Sequence, residues 1–77
     1  MEIDHGGAEF PYRQLAAYLR QRITSGEYPA GGRLPPIIAL QGESGLSAKT
    51  VQRALRVLEE EGLVVIVANR GTFVTNR

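Results

Sequence analysis

The chain contains no cysteine. That excludes a disulfide framework and a cysteine-based zinc site, and it fits a reducing compartment. No apolar run approaches the ~20 residues needed to span a bilayer, and no signal peptide is visible. A cytoplasmic location with no membrane partner is therefore expected. The only histidine, His5, stands alone among polar residues near the start, where it reads as a solvated group and not a metal ligand. No nucleophile and base come together either: Ser47 is needed as a helix cap, and His5 lies in an arm. The glycine-containing connector Glu27-Tyr28-Pro29-Ala30-Gly31-Gly32 lacks the Gly-Lys-Ser/Thr ending of a phosphate-binding loop. Neither an enzyme nor a bound cofactor or metal is expected. Bulk charge is also slight, at +1, so it does not by itself argue for a nucleic-acid partner.

What remains is the pattern of a small domain. Seventy-seven residues fit one domain with a marginal core, so every amphipathic element must contribute. Residues 1–9 hold Gly6-Gly7 and three acids and read as a flexible N-terminal arm; the domain proper is expected over 10–77. Pro11 suits a first helical turn. Tyr12, Leu15, Ala16, Leu19 and Ile23 then recur at i, i+3, i+4, i+7 and i+11, which predicts a helix over about 11–25 ended by Gly26. Arg33-Leu34 reads as a very short strand. Pro35-Pro36 starts a second helix over about 36–43, and Gly45 supplies a turn. Ser47 caps a third helix, whose core stripe is Val51, Ala54, Leu55 and Leu58. Gly62 and Leu63 close it in a Schellman end. Glu59-Glu60-Glu61 sit unfavourably at the negative end of that helix, where Arg56 could pair with Glu60. Leu63–Val67 is a strand, Ala68-Asn69-Arg70-Gly71 a turn, and Thr72–Thr75 the returning strand.

Helix, helix, turn, helix, hairpin is the order of a winged helix-turn-helix: an α+β fold, mostly α, with three helices and a C-terminal β-hairpin wing. Charge is distributed to suit it. Of the nine cationic residues only Lys49 is a lysine, and arginine suits bidentate contact with guanine or phosphate. Lys49, Gln52, Arg53 and Arg56 lie on the outer face of the third helix. Its N-terminal residues Ser47, Lys49 and Thr50 could reach base edges or phosphate. Gln52 could read adenine, and Arg53 guanine or phosphate. At the hairpin tip, Asn69, Arg70 and Gly71 could touch the backbone or minor groove. The expected partner is double-stranded DNA.

Several spaced motifs carry a more specific likeness. Tyr12-Arg13-Gln14-Leu15, Arg33-Leu34-Pro35, Gly45-Leu46-Ser47 with Thr50-Val51 and Ala54-Leu55, Glu61-Gly62-Leu63-Val64, and Arg70-Gly71-Thr72-Phe73-Val74 resemble the N-terminal DNA-binding domain of GntR-family bacterial transcription regulators over about residues 10–75. The resemblance implies a transcription regulator, a repressor by this reading, that binds near-palindromic operator DNA as a homodimer. DNA contact is carried over to Ser47, Lys49, Thr50, Gln52, Arg53, Arg70 and Gly71, together with Asn69. Departures matter as well. Where the family usually has Ser-Glu-Arg after Leu34-Pro35, this chain has Pro36, Ile37 and Ile38. Ala48 and Gln52 also replace common arginines, so phosphate neutralisation should be weaker than usual and base preference different. The chain offers no effector site.

A second reading competes. Ile37, Ile38 and the run Val64–Val67 are more apolar than such a fold needs, and exposed patches of this kind mark partner surfaces. An interaction or dimerisation module would use them. The plainer expectation for the strand run is a core strand buried throughout.

Overall fold

Local signals set the three helices, and the apolar stripes decide how they pack. The computed structural model describes residues 1–76. Helix α1 spans Pro11–Thr24 with Pro at its first position. It is followed by Gly26 at φ 87°, the left-handed conformation that ends helices and that glycine adopts without a Cβ penalty. Helix α2 spans Ile37–Ser44, with Pro36 as its extended N-cap and not its first helical residue. Helix α3 spans Ala48–Glu60. Strands β1 (Val64–Val67) and β2 (Gly71–Val74) form an antiparallel hairpin in which Val64 faces Val74 and Val67 faces Gly71.

One cluster joins these elements. Leu15, Ala16 and Leu19 of α1 meet Val51, Ala54, Leu55 and Leu58 of α3, and Leu34, Leu40, Leu46, Val64 and Val74 close the remaining sides. Each stripe follows the 3-4 spacing that places side chains on one helix face. The turn between α2 and α3 is tied to this core. Gly45 takes φ 74°, and Leu46 is buried. The buried Ser44 hydroxyl donates to the Leu40 carbonyl (2.7 Å) and accepts from the Leu46 N–H (3.2 Å). A buried hydroxyl left unpaired would be costly; here both its roles are filled.

The end of α3 resolves the conflict posed by its three glutamates. Leu63 N–H donates to the Leu58 carbonyl and Gly62 N–H to that of Glu59, both at 3.0 Å, which are the two bonds of a Schellman motif. Glu61 takes a two-pronged bond from Arg20 of α1, Nε to Oε1 at 2.8 Å and Nη2 to Oε2 at 2.6 Å. This hydrogen bonding holds the Glu61 carboxyl below its ordinary pKa. Glu59 accepts from the backbone N–H of Ile66 (3.3 Å). Two of the acids are therefore held by tertiary partners that offset the dipole. The Arg56–Glu60 pair expected from sequence does not form among the described residues.

The strand run corrects a further expectation. Val64 is buried, but Val65, Ile66 and Val67 are 45%, 38% and 36% exposed. The hairpin has only two strands and projects from the helical core, so only its root reaches that core. On its other side β2 is paired with the segment before α2. Arg33 bridges Phe73, Leu34 N–H donates to the Thr72 carbonyl, and Val74 N–H to that of Gly32, both at 2.8 Å. The short strand read at Arg33-Leu34 is thus present as a single bridge. The N-terminal segment, read as an arm, is tethered. The Gln14 amide donates to the carbonyls of Asp4 (2.7 Å) and Glu9 (2.9 Å) and accepts from the Asp4 N–H (2.8 Å). Met1 and Ile3 rest against the core.

Candidate nucleic-acid interface

The start of α3 is built by Ser47. Its backbone is extended (φ −69°, ψ 160°), and its hydroxyl accepts from the Thr50 N–H. That satisfies one of the N–H groups a helix start leaves open. The Ser47 and Thr50 hydroxyls also share a hydrogen bond at 3.0 Å. Burying Val51, Ala54, Leu55 and Leu58 turns the opposite face outward. Ser47, Lys49, Thr50, Gln52, Arg53 and Arg56 line one shallow depression along it. Lys49, Gln52, Arg53 and Arg56 are exposed, as the sequence pattern requires.

At the hairpin tip, Arg70 N–H donates to the Val67 carbonyl (3.1 Å). Asn69 holds φ 64°, a left-handed conformation that asparagine tolerates better than most residues. Asn69 and Arg70 are exposed, and Gly71 is half-buried. These three do not stand apart from α3. Gln52 lines a second groove together with Arg33, Ile37, Asn69, Arg70 and Gly71. All eight residues singled out from sequence therefore fall on one surface, and Gln52 belongs to both of its halves.

The electrostatics of this surface follow from where the carboxylates go. On α1, Arg20 pairs with Glu61 and Arg22 with Glu27. Lys49, Arg53, Arg56 and Arg70 make no ion pair among the described residues. No group of three or more His, Cys, Asp or Glu side chains is placed to hold a metal among the described residues, and none of the helices is long and apolar enough to cross a membrane.

This geometry has a counterpart among known proteins. The sequence profile described as "Bacterial regulatory proteins, gntR family" matches residues 11–74. The chain belongs to that family. It is 43% identical over 63 residues to the mannosyl-D-glycerate transport/metabolism system repressor MngR of Escherichia coli (strain K12), a match covering 82% of this chain and 26% of the relative. Against an uncharacterised HTH-type transcriptional regulator of Rhizobium meliloti (strain 1021) it is 44% identical over 66 residues, covering 86% of this chain and 27% of the relative. The chain thus spans about a quarter of the length of these two curated relatives. Among solved structures, it resembles AraR(DBD) in complex with operator ORE1, with a TM-score of 0.90 and 28% identity over 97% of this chain and 98% of that one. It also resembles YtrA from Sulfolobus acidocaldarius, a GntR-family transcription factor, with a TM-score of 0.86 and 32% identity, covering 97% and 79% of the two chains. The three helices and hairpin are the winged helix-turn-helix of the gntR family.

Two residues of this gntR-family surface escaped the sequence reading. Arg33 was visible only as part of a motif, yet its guanidinium lies against Gly71: a Cβ there would sit 2.7 Å from Arg33 Nε. Tyr12 was assigned to the core stripe of α1. Its ring is only half-buried, and it carries the Arg53 guanidinium 4.1 Å from its centroid. An arginine inside a short strand read at Arg33-Leu34, and an aromatic at the very edge of an apolar stripe, were the available signals.

Proposed function

We propose that this chain is a sequence-specific duplex DNA reader of a transcription regulator, with α3 in the major groove and the hairpin on the backbone or minor groove. A helix about 10–12 Å across fits the major groove. In this reading Gln52 and Arg53 meet base edges, while Ser47, Lys49 and Thr50 act at the helix start. Asn69, Arg70 and Gly71 approach the sugar–phosphate chain. The observation that carries it is the sharing of Gln52 between the α3 depression and the wing groove, which brings the cations of α3 and Arg70 of the wing to adjoining parts of one surface. The operator complex of the AraR domain supports the same use of the fold. The repressor sense is supported by the names of relatives such as MngR and the histidine utilization repressor of Pseudomonas putida. A homodimer on a near-palindromic site and action inside the cytoplasm complete the proposal.

Selection of bound sequences from a random duplex library tests it. A recovered site with a fixed two-fold spacing, bound with an affinity that falls steeply with salt as counterions are released, is the expected result. No enriched sequence and no salt dependence would contradict it.

Exposure favours a second role for the same chain. Ile38 is 77% exposed where the family usually has an arginine, and Val65, Ile66 and Val67 are partly exposed on β1. Contact between two copies through these groups would make the module a dimerisation unit as well. Sedimentation of Ile38→Glu beside the parent tests this: a shift to monomer supports it, and identical behaviour removes it.

A further inference from the structure

The Arg53 guanidinium is the one α3 cation that rests on an aromatic ring, at 4.1 Å from the centroid of Tyr12. The ring is itself fixed. Tyr12 sits in the first turn of α1, packs against the core and stacks on Phe10 at 6.2 Å with planes 14° apart. Arg20, by contrast, is held by a carboxylate alone, and Arg22 by a carboxylate together with the Tyr18 ring. The difference is chemical. A carboxylate occupies the N–H edge of a guanidinium and cancels its charge. A ring attracts the cation through its face and leaves the in-plane N–H donors free.

We propose that Tyr12 is a positioning residue for DNA recognition: its ring holds Arg53 over the α3 surface with charge and donors intact, ready for a bidentate contact. This rests on the reading of Arg53 as a DNA-contacting residue. A free arginine side chain samples many rotamers, and one already held in place loses less entropy on binding. Tyr12 thereby links α1 to the reading surface, and the contact is already made in the free protein. Replacing the ring should weaken binding without removing any charge. The slope of affinity against salt should then stay the same while the affinity drops.

The experiment measures binding of the 77-residue chain to the duplex recovered by library selection. It uses Tyr12→Phe, Tyr12→Leu, Arg53→Ala and the Tyr12→Leu/Arg53→Ala double variant. Tyr12→Phe should bind like the parent, and Tyr12→Leu should lose about two- to five-fold, the equivalent of a modest cation–π contact. In the Arg53→Ala background Tyr12→Leu should cost nothing more, and the salt slope of Tyr12→Leu alone should match the parent. Pentafluorophenylalanine at position 12 keeps the ring's shape and inverts its electrostatics. Compared with phenylalanine it should show the same loss, which keeps the test intact where leucine unfolds the chain. An equal Tyr12→Leu loss with and without Arg53, or equal binding by phenylalanine and its pentafluoro form, overturns the positioning role. Parent-like binding by Arg53→Ala overturns the DNA reading of Arg53 itself and the inference with it.

Discussion

Gly71 and Arg33 occupy the same corner of the wing: a Cβ on Gly71 would meet Arg33 Nε at 2.7 Å and Nη2 at 3.1 Å. Gly71 also holds φ 124°, a region that residues with a side chain rarely enter. Two separate costs therefore oppose any side chain there. The arginine end can swing aside, but the backbone cannot relax without disturbing the Val67–Gly71 pair at the head of the hairpin. Gly71→Ala should destabilise the fold by roughly 1–3 kcal/mol in urea unfolding. Adding Arg33→Ala should recover only a minor part of that loss. Full recovery would assign the cost to the steric contact and not to the backbone.

The cap of α3 makes a local prediction. Ser47 accepts from the Thr50 N–H at 3.2 Å and bonds the Thr50 hydroxyl. Ser47→Ala should lower stability by about 1 kcal/mol, read as a lower denaturant midpoint at unchanged slope. Ser47→Asp should restore most of it, because a carboxylate caps equally well. The same aspartate should weaken DNA binding, since it sets a negative charge where a phosphate is expected.

Charge pairing at the far end of α3 gives a pH dependence. Hydrogen bonding from Arg20 lowers the folded-state pKa of Glu61 from the ordinary value of 4.5. A depressed carboxylate contributes stability that is full above its unfolded value and is lost as pH falls through the folded one. The pair is partly open to solvent, with both side chains 38% exposed, so its contribution is under about 1 kcal/mol. Glu61→Gln should melt below the parent at pH 7, and the gap should close well below pH 4.5. A gap that persists in acid would place the effect outside this ion pair.

Helix and wing should separate in their signatures. Gln52→Ala removes no charge, so it should relax base preference at one position with the salt slope unchanged. Arg70→Ala should weaken all sequences alike and reduce that slope by about 1. Competition binding on the selected duplex and its single-base variants, at two salt concentrations, distinguishes the two.

Much of this was legible in the sequence because the signals were local. The stripes of α1 and α3, the Ser47 cap and the Gly45 and Gly62 turns each depend on residues a few positions apart, and each appears where its spacing puts it. Pro36 proved to be the N-cap of α2 and not its first residue, a shift of one position. The exposure of Lys49, Gln52 and Arg53 on α3 was legible for the same reason, since a buried stripe determines the face opposite. Other features depend on tertiary geometry. An apolar run such as Val64–Val67 does not state whether one face or two will be covered, and the projecting hairpin leaves three of its four residues partly open. The fate of Glu59 and Glu61 is decided by Ile66 and Arg20, and that of Arg53 by Tyr12. None of these pairings has a periodicity to announce it.

In the proposed reading, α3 and the wing together form the DNA-reading face. Amide-resolved NMR titration of the chain with the selected duplex tests it most directly. The largest shifts are expected at Ser47–Arg53 and Asn69–Gly71, fading as salt is raised. Shifts confined to the outer side of α1 and to Glu59–Glu61, with the start of α3 and the wing unmoved, would contradict it.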